Sequence, residues 1–227
     1  MLFRSGIPAA SEYTFHLVIW ITFFGGMITS RESRHLSLSA GADRIREPLR
    51  GRIDRVIGGT TAMVIWALFL SALSLLLIGF DPEKRIGFLP VRFVLLPMPI
   101  GYAVMAFRAA FRDKTGGRHW ITLAVSLVLG VFLGYPSLLN ILYTLFPEVS
   151  PFFERIADLW YTVTPALVLP GCLVLIAGAL LGMPLFTVLG GVAYFLFIGS
   201  GGALEVIPNE AYTMLTGNTI PPSPCSR

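Results

Sequence analysis

SEYTFHLVIWITFFGGMITSRESRH, residues 11–35, sets an apolar stretch directly against a block of arginine. No acidic or basic charge falls between Glu12 and Arg31, so residues 14–30 read as one helix. Its length is near the minimum for crossing about 30 Å of hydrocarbon at about 1.5 Å per residue. From Arg31 to Arg55 the chain then carries seven arginines against four acids. An apolar span followed at once by clustered arginine is a membrane segment with its cytosolic flank attached, because Lys and Arg in short loops are retained on the cytosolic side. Within the span, Gly25-Gly26 lets a second helix backbone approach closely.

Composition generalises this reading. The chain has 227 residues, 55% hydrophobic and 13% charged, with mean hydropathy +0.74. Soluble domains carry about 25% charged residues. A water-soluble core cannot absorb this much apolar side chain. The expected fold is therefore all-α: a polytopic integral membrane protein with about six apolar helices and a basic cytosolic amphipathic segment. The net charge of +4 lies largely in two short loops beside apolar spans, as topology determinants do, and does not point to a nucleic-acid partner. Cys172 and Cys225 fit no metal or redox spacing. Residues 1–10 and the apolar run after them show no small-residue cleavage pattern, so the first span is expected to stay in the membrane.

Further apolar spans read at 56–80, 89–107, 121–139 and 162–181, with a shorter run at 185–198. In the basic loop, Ile45, Leu49 and Ile53 recur at a spacing of four opposite Arg44, Arg46, Arg50 and Arg52. That pattern predicts a short surface helix attracted to anionic lipid, interrupted near Pro48. Pro97-Met98-Pro99 predicts a kink or break in the third span. Arg92, at the start of that span, either snorkels to the near interface or pairs with a carboxylate or a lipid phosphate. Residues 140–160 are expected to form an external helix-turn segment along the membrane. Pro165 is expected in the first turn of the next span, and Pro170 to bend it.

Charge tests the alternation. If the first span runs outside to inside, the internal loops 31–55 and 108–118 hold seven and four basic residues, eleven of the seventeen in the chain. The external segments hold the other six, with eight of the thirteen acids. The positive-inside rule is met, and the same parity puts the C-terminal tail outside.

Chemistry-bearing motifs are few. The chain lacks a Gly-x-x-x-x-Gly-Lys-[Ser/Thr] loop and the His-Glu-x-x-His and Cys-x-x-Cys spacings, so no cofactor, metal or catalytic residue is expected. His16, His35 and His119 each sit beside an interface, where ordinary polar contacts suffice. Apart from Arg92 at an edge, the spans carry no charge, which argues against a membrane enzyme built on intramembrane titratable groups. The candidate lipid or subunit contacts are Glu12, Arg31, Arg34, His35 and Arg92. For Arg31, Arg34 and His35, binding to lipid headgroups or to a partner competes with simple positive-inside anchoring. A lipid-binding scaffold or assembly factor without a solute, or a small polytopic enzyme, are the alternative function classes.

Two stretches carry a family resemblance. The pattern Ser11-Glu12-Tyr13-Thr14-Phe15-His16, Trp20, Gly25-Gly26, Arg31-Glu32-Ser33-Arg34-His35-Leu36-Ser37-Leu38 resembles the small membrane subunit of tripartite ATP-independent periplasmic (TRAP) transporters. From about Val168 onward, Gly182-Met183-Pro184, the Gly-rich residues 195–202 and Ile207-Pro208-Asn209-Glu210-Ala211-Tyr212 resemble the start of the large, transporting subunit of the same systems. The resemblance implies a scaffold (1–118), a connecting helix and external segment (119–160), and the start of a large-subunit-like permease (161–227). It further implies sodium-driven import of small carboxylates across the bacterial inner membrane. The implied partners are a large permease subunit, or the remainder of a fusion, and a periplasmic solute-binding protein, with anionic lipid around them. Two departures accompany it: the family's first helix and the large subunit's later ion-site helices are missing from the pattern, so no substrate or sodium residue carries over and the chain is expected to be incomplete on its own. For one choice of codons, a shift of one nucleotide near Pro222 would turn Ser223-Pro224-Cys225-Ser226-Arg227 into Ile-Pro-Leu-Phe-Thr, the family's continuation, so residues 222–227 are expected to be out of frame, the alternative being a natural short form with an unrelated polar tail.

Overall fold

Helix α2, Leu49–Ile78, is the axis on which the other elements pack. It is apolar all round, and such a helix must be covered on all sides or face lipid. In the computed structural model, which describes residues 10–32, 49–81, 83–86, 88–111, 119–146 and 150–216, protein covers most of it. Ala62, Ile65, Trp66, Ala72, Leu75 and Leu76 join one buried cluster with α1 (Ala10–Glu32), α3 (Val91–Leu95) and α4 (Pro97–Ala110). Ile57, Val64, Ala67 and Leu68 join a second cluster with α7 (Pro151–Leu180) and α8 (Leu185–Gly199). Helices α5 (His119–Leu133), α6 (Tyr135–Leu145) and α9 (Val206–Thr216) complete the set, and a two-residue hairpin, Arg85–Ile86 with Leu89–Pro90, links α2 to α3.

The all-α membrane architecture stands. Among the described residues four helices are long and apolar enough to cross a membrane, or five if α5 and α6 are counted as one broken span. The expected continuous span 121–139 is instead bent by 75° between α5 and α6. Pro136 explains the break: it has no N–H to give the carbonyl four residues back, and its ring crowds that carbonyl. The freed Phe132 carbonyl accepts from Trp160 Nε1 at 2.7 Å, and the neighbouring Leu133 carbonyl accepts from Tyr194 Oη at 3.3 Å. In an apolar medium such carbonyls must be satisfied from neighbouring helices, and α7 and α8 each supply one donor. The run at 185–198 forms α8, 15 residues long and short for a full span.

Other expectations shift at the helix ends. Leu49 to Arg55 continue α2 as helix, so this part of the basic segment lengthens a span; the rest, residues 33–48, lies outside the described residues. Helix α7 begins at Pro151, where a first-turn proline costs no hydrogen bond, so residues 151–160 extend a 30-residue helix and Pro165 falls in its interior. The expected break at Pro97-Met98-Pro99 is present one residue earlier, at Leu96 between α3 and α4.

Contacts along the helices define their directions. Phe23 of α1 lies against Gly101 of α4, and Trp20 Nε1 donates to the Val94 carbonyl at 2.8 Å, so α1 and the α3–α4 unit run parallel. Gly59 meets Thr122, Gly130 meets Met63 and Trp66, and Gly134 meets Leu70, so α2 and α5 run parallel to each other. Helices α7 and α8 form an antiparallel pair closed at Gly182, whose φ of 98° suits glycine, with Phe195 packed on Gly171 and Leu175 on Gly191. Helix α9 then returns to α1 and α2: His16 Nε2 and Tyr212 Oη lie 3.1 Å apart, and the Phe80 and Tyr212 rings meet edge to face. Helices α8 and α9 dock on α2 while Leu189, Leu196 and Met214 stay exposed.

Candidate functional site

The helix directions collect charge at the two ends of the bundle. One end holds the C-termini of α1 and α4 and the N-termini of α2 and α5. Arg31, Arg50, Arg52, Arg55 and Arg108 are all there. The other end holds the C-terminus of α2, the hairpin, α6 and α9, with Asp81, Glu83, Glu154, Glu205 and Glu210 among Lys84, Arg85 and Arg155. This is the segregation that the positive-inside alternation requires.

Two arginines of the α3–α4 unit close helix ends on opposite sides. Arg92 is half-buried, and its Nη2 donates to the Leu77 carbonyl at 3.0 Å and the Phe80 carbonyl at 3.2 Å. Leu77 lies in the last turn of α2, where carbonyls lack partners within the helix and carry the negative end of its dipole, and Phe80 follows just beyond the helix end. Arg108 donates to the Met27 carbonyl near the end of α1, and to Ser30 Oγ at 3.2 Å. Thus the Arg92 guanidinium is turned to backbone, a partner that the sequence reading did not consider; Nε of Arg92 is buried without a hydrogen bond. Replacing Arg92 with methionine keeps much of the apolar stem and removes the donors. It is expected to cost about 1.5–3 kcal/mol, the range for hydrogen bonds to a charged group. Thermal unfolding in detergent checks this, and an unchanged midpoint would show the cap to be dispensable.

Arg31 is exposed in the last turn of α1. Glu12 lies in the first turn of α1, but its side chain, like Arg34 and His35, lies outside the described residues. Of the five candidates the structure describes the side chains of Arg31 and Arg92, which lie at opposite ends of the bundle. It assembles instead a polar junction that sequence reasoning missed. Ser74 Oγ, fully buried in α2, donates to Glu205 Oε1 at 2.9 Å, and Asn140 Nδ2 of α6 donates to the same oxygen at 3.0 Å. One helical turn deeper, Ser71 Oγ and Ser137 Oγ, also fully buried, lie 3.3 Å apart. The carboxylate preceding α9 is thereby tied to both α2 and α6. The available signal was a row of small polar residues, Ser71, Ser74, Ser137 and Asn140, near the same end of two spans.

Among the described residues no group of three or more His, Cys, Asp or Glu is placed to hold a metal ion. The polar contacts join helix ends to one another, and the apolar helices are membrane-capable: the protein is a multi-pass membrane protein built as a helical scaffold. Residues 1–113, just under half of the chain, match the family model described as tripartite ATP-independent periplasmic transporters, DctQ component. The family is a transporter component and not an enzyme, and it works with a large permease and a periplasmic binding protein. Comparison with curated proteins and with solved structures finds no match.

Proposed function

We propose that the protein is the scaffold component of a secondary TRAP transporter in the bacterial inner membrane, importing small carboxylates that a periplasmic binding protein delivers and a sodium gradient drives. The observation that carries this is the DctQ match over residues 1–113, laid on a bundle in which five of the eight described arginines, Arg31, Arg50, Arg52, Arg55 and Arg108, gather at one end. In this reading residues 1–118 form the scaffold, 119–160 connect, and 161–227 correspond to the start of a large permease. Arg31, Arg34 and His35 face the cytosol, where they contact anionic lipid headgroups or the permease.

The test is co-purification of the tagged chain with a large permease subunit from native membranes, followed by uptake in proteoliposomes. Uptake of a labelled carboxylate should need the binding protein and an inward sodium gradient, and should not need ATP. A reporter placed after Arg118 should read as cytosolic, and one after Glu148 as periplasmic. Uptake independent of both sodium and the binding protein would overturn the mechanism. The reverse reporter pattern would overturn the orientation.

A further inference from the structure

Between α2 and α5 runs an open groove lined by Val56, Gly59, Met63, Val125 and Leu129, with Arg55 at one mouth. Gly59 and Ser126 make it deep: a Cβ at Gly59 would meet only Thr122 Cγ2, at 3.4 Å. We propose that this groove seats one acyl chain of an anionic phospholipid of the cytosolic leaflet, a phosphatidylglycerol-type lipid, with its phosphate at Arg55. The inference rests on the membrane orientation given above and not on the identity of the transported solute.

Two observations select this occupant. From Arg55 to Met63, and from Ile121 to Leu129, the groove extends about 12 Å at about 1.5 Å per residue. That is close to one leaflet's share, about 15 Å, of the hydrocarbon. Charge completes the match. The long walls are apolar with only small hydroxyls, Thr60, Thr122 and Ser126, whereas the mouth holds the half-buried Arg55. Asp54, one residue earlier and so about 100° around the helix, does not line the groove. An arginine at headgroup depth above an apolar slot is positioned to hold a lipid phosphate and its tail.

The full chain, purified in mild detergent and exchanged with defined lipid, is examined by native mass spectrometry. The wild type should retain one phosphatidylglycerol, and phosphatidylcholine at the same concentration should be retained less. Arg55→Gln should lower phosphatidylglycerol occupancy about fivefold, the effect of one basic residue at a lipid surface. Arg52→Gln, outside the groove, should leave it unchanged. Val125→Trp starts from an exposed position, so the fold tolerates it; its ring fills the slot and should remove both lipids. Circular dichroism of each variant confirms the helical fold. Equal effects of Arg55→Gln and Arg52→Gln would reduce the site to general surface charge and overturn the proposal. So would an unchanged adduct in Val125→Trp. If Val125→Trp keeps the lipid but abolishes co-purification of a permease, the groove is a protein contact and the proposal also falls. Because lipid retention is read on the isolated chain, it can fail or succeed independently of transport.

Discussion

Replacing Glu205 with alanine is expected to release α9 from the bundle. One carboxylate oxygen accepts from Ser74 Oγ and Asn140 Nδ2, so the substitution removes two hydrogen bonds to a charged group and strands a fully buried serine hydroxyl. Glu205 is half-buried, which moderates the loss, and the expected cost is about 2–3 kcal/mol. For a chain of this size that lowers the unfolding midpoint by roughly 5–10 °C. Hydrogen exchange should localise the change: residues 206–216 lose protection while 56–76 keep theirs. Glu205→Gln keeps an acceptor oxygen and should cost about half as much. Combining Glu205→Ala with Ser74→Ala should show a coupling of about 1 kcal/mol, as expected for residues in contact. The exposed Glu210 supplies the control, and a Glu210→Ala variant as unstable as Glu205→Ala would mean the junction contributes nothing specific.

Gly130→Ala should be more damaging than any surface change in the protein. A Cβ at Gly130 would lie 2.5 Å from Trp66 Cβ and 2.8 Å from the Met63 carbonyl oxygen. Neither atom is the far end of a flexible side chain, so α2 and α5 must separate. Overpacking of a tight core costs about 1–3 kcal/mol and occasionally more, and a clash with backbone belongs at the top of that range. The readout is a monodisperse peak by size exclusion in detergent, which should broaden or vanish. Gly59→Ala lies on the same interface, where its Cβ would make an ordinary 3.4 Å contact, and it should be tolerated. Equal behaviour of the two variants would contradict the close approach at Gly130.

The legible parts of this molecule were those written in local patterns. The apolar stretch ending at Arg31 became α1, and the alternation of basic loops anticipated which helix ends lie together, because hydrophobic length and Lys/Arg bias act over single spans. Pairings between distant spans were not legible. Arg92 was visible as an edge charge, but its acceptors are backbone carbonyls at and just beyond the end of α2, and backbone carries no sequence signature. Glu205 stood in a polar tail and gave no hint that it meets Ser74, 131 residues earlier. The bend at Gly134 was within reach. Gly-Tyr-Pro in the middle of an apolar run signals a break, and hydropathy, which averages over a window, passed across it.

The same 131-residue separation between Ser74 and Glu205 has a consequence for biosynthesis. Chains emerge from the ribosome at about 5–20 residues per second, so Glu205 follows Ser74 after roughly 7–26 seconds. Arg92 follows the carbonyls of Leu77 and Phe80 within about three seconds at most. The caps on α1 and α2 therefore close while α7 to α9 are still unmade, and the junction at Ser74 waits for the last helix. The N-terminal four-helix unit must hold its shape in the bilayer through that interval with the buried Ser74 hydroxyl facing an unfilled place. Any insertase or lipid that shelters α2 during synthesis acts in that window.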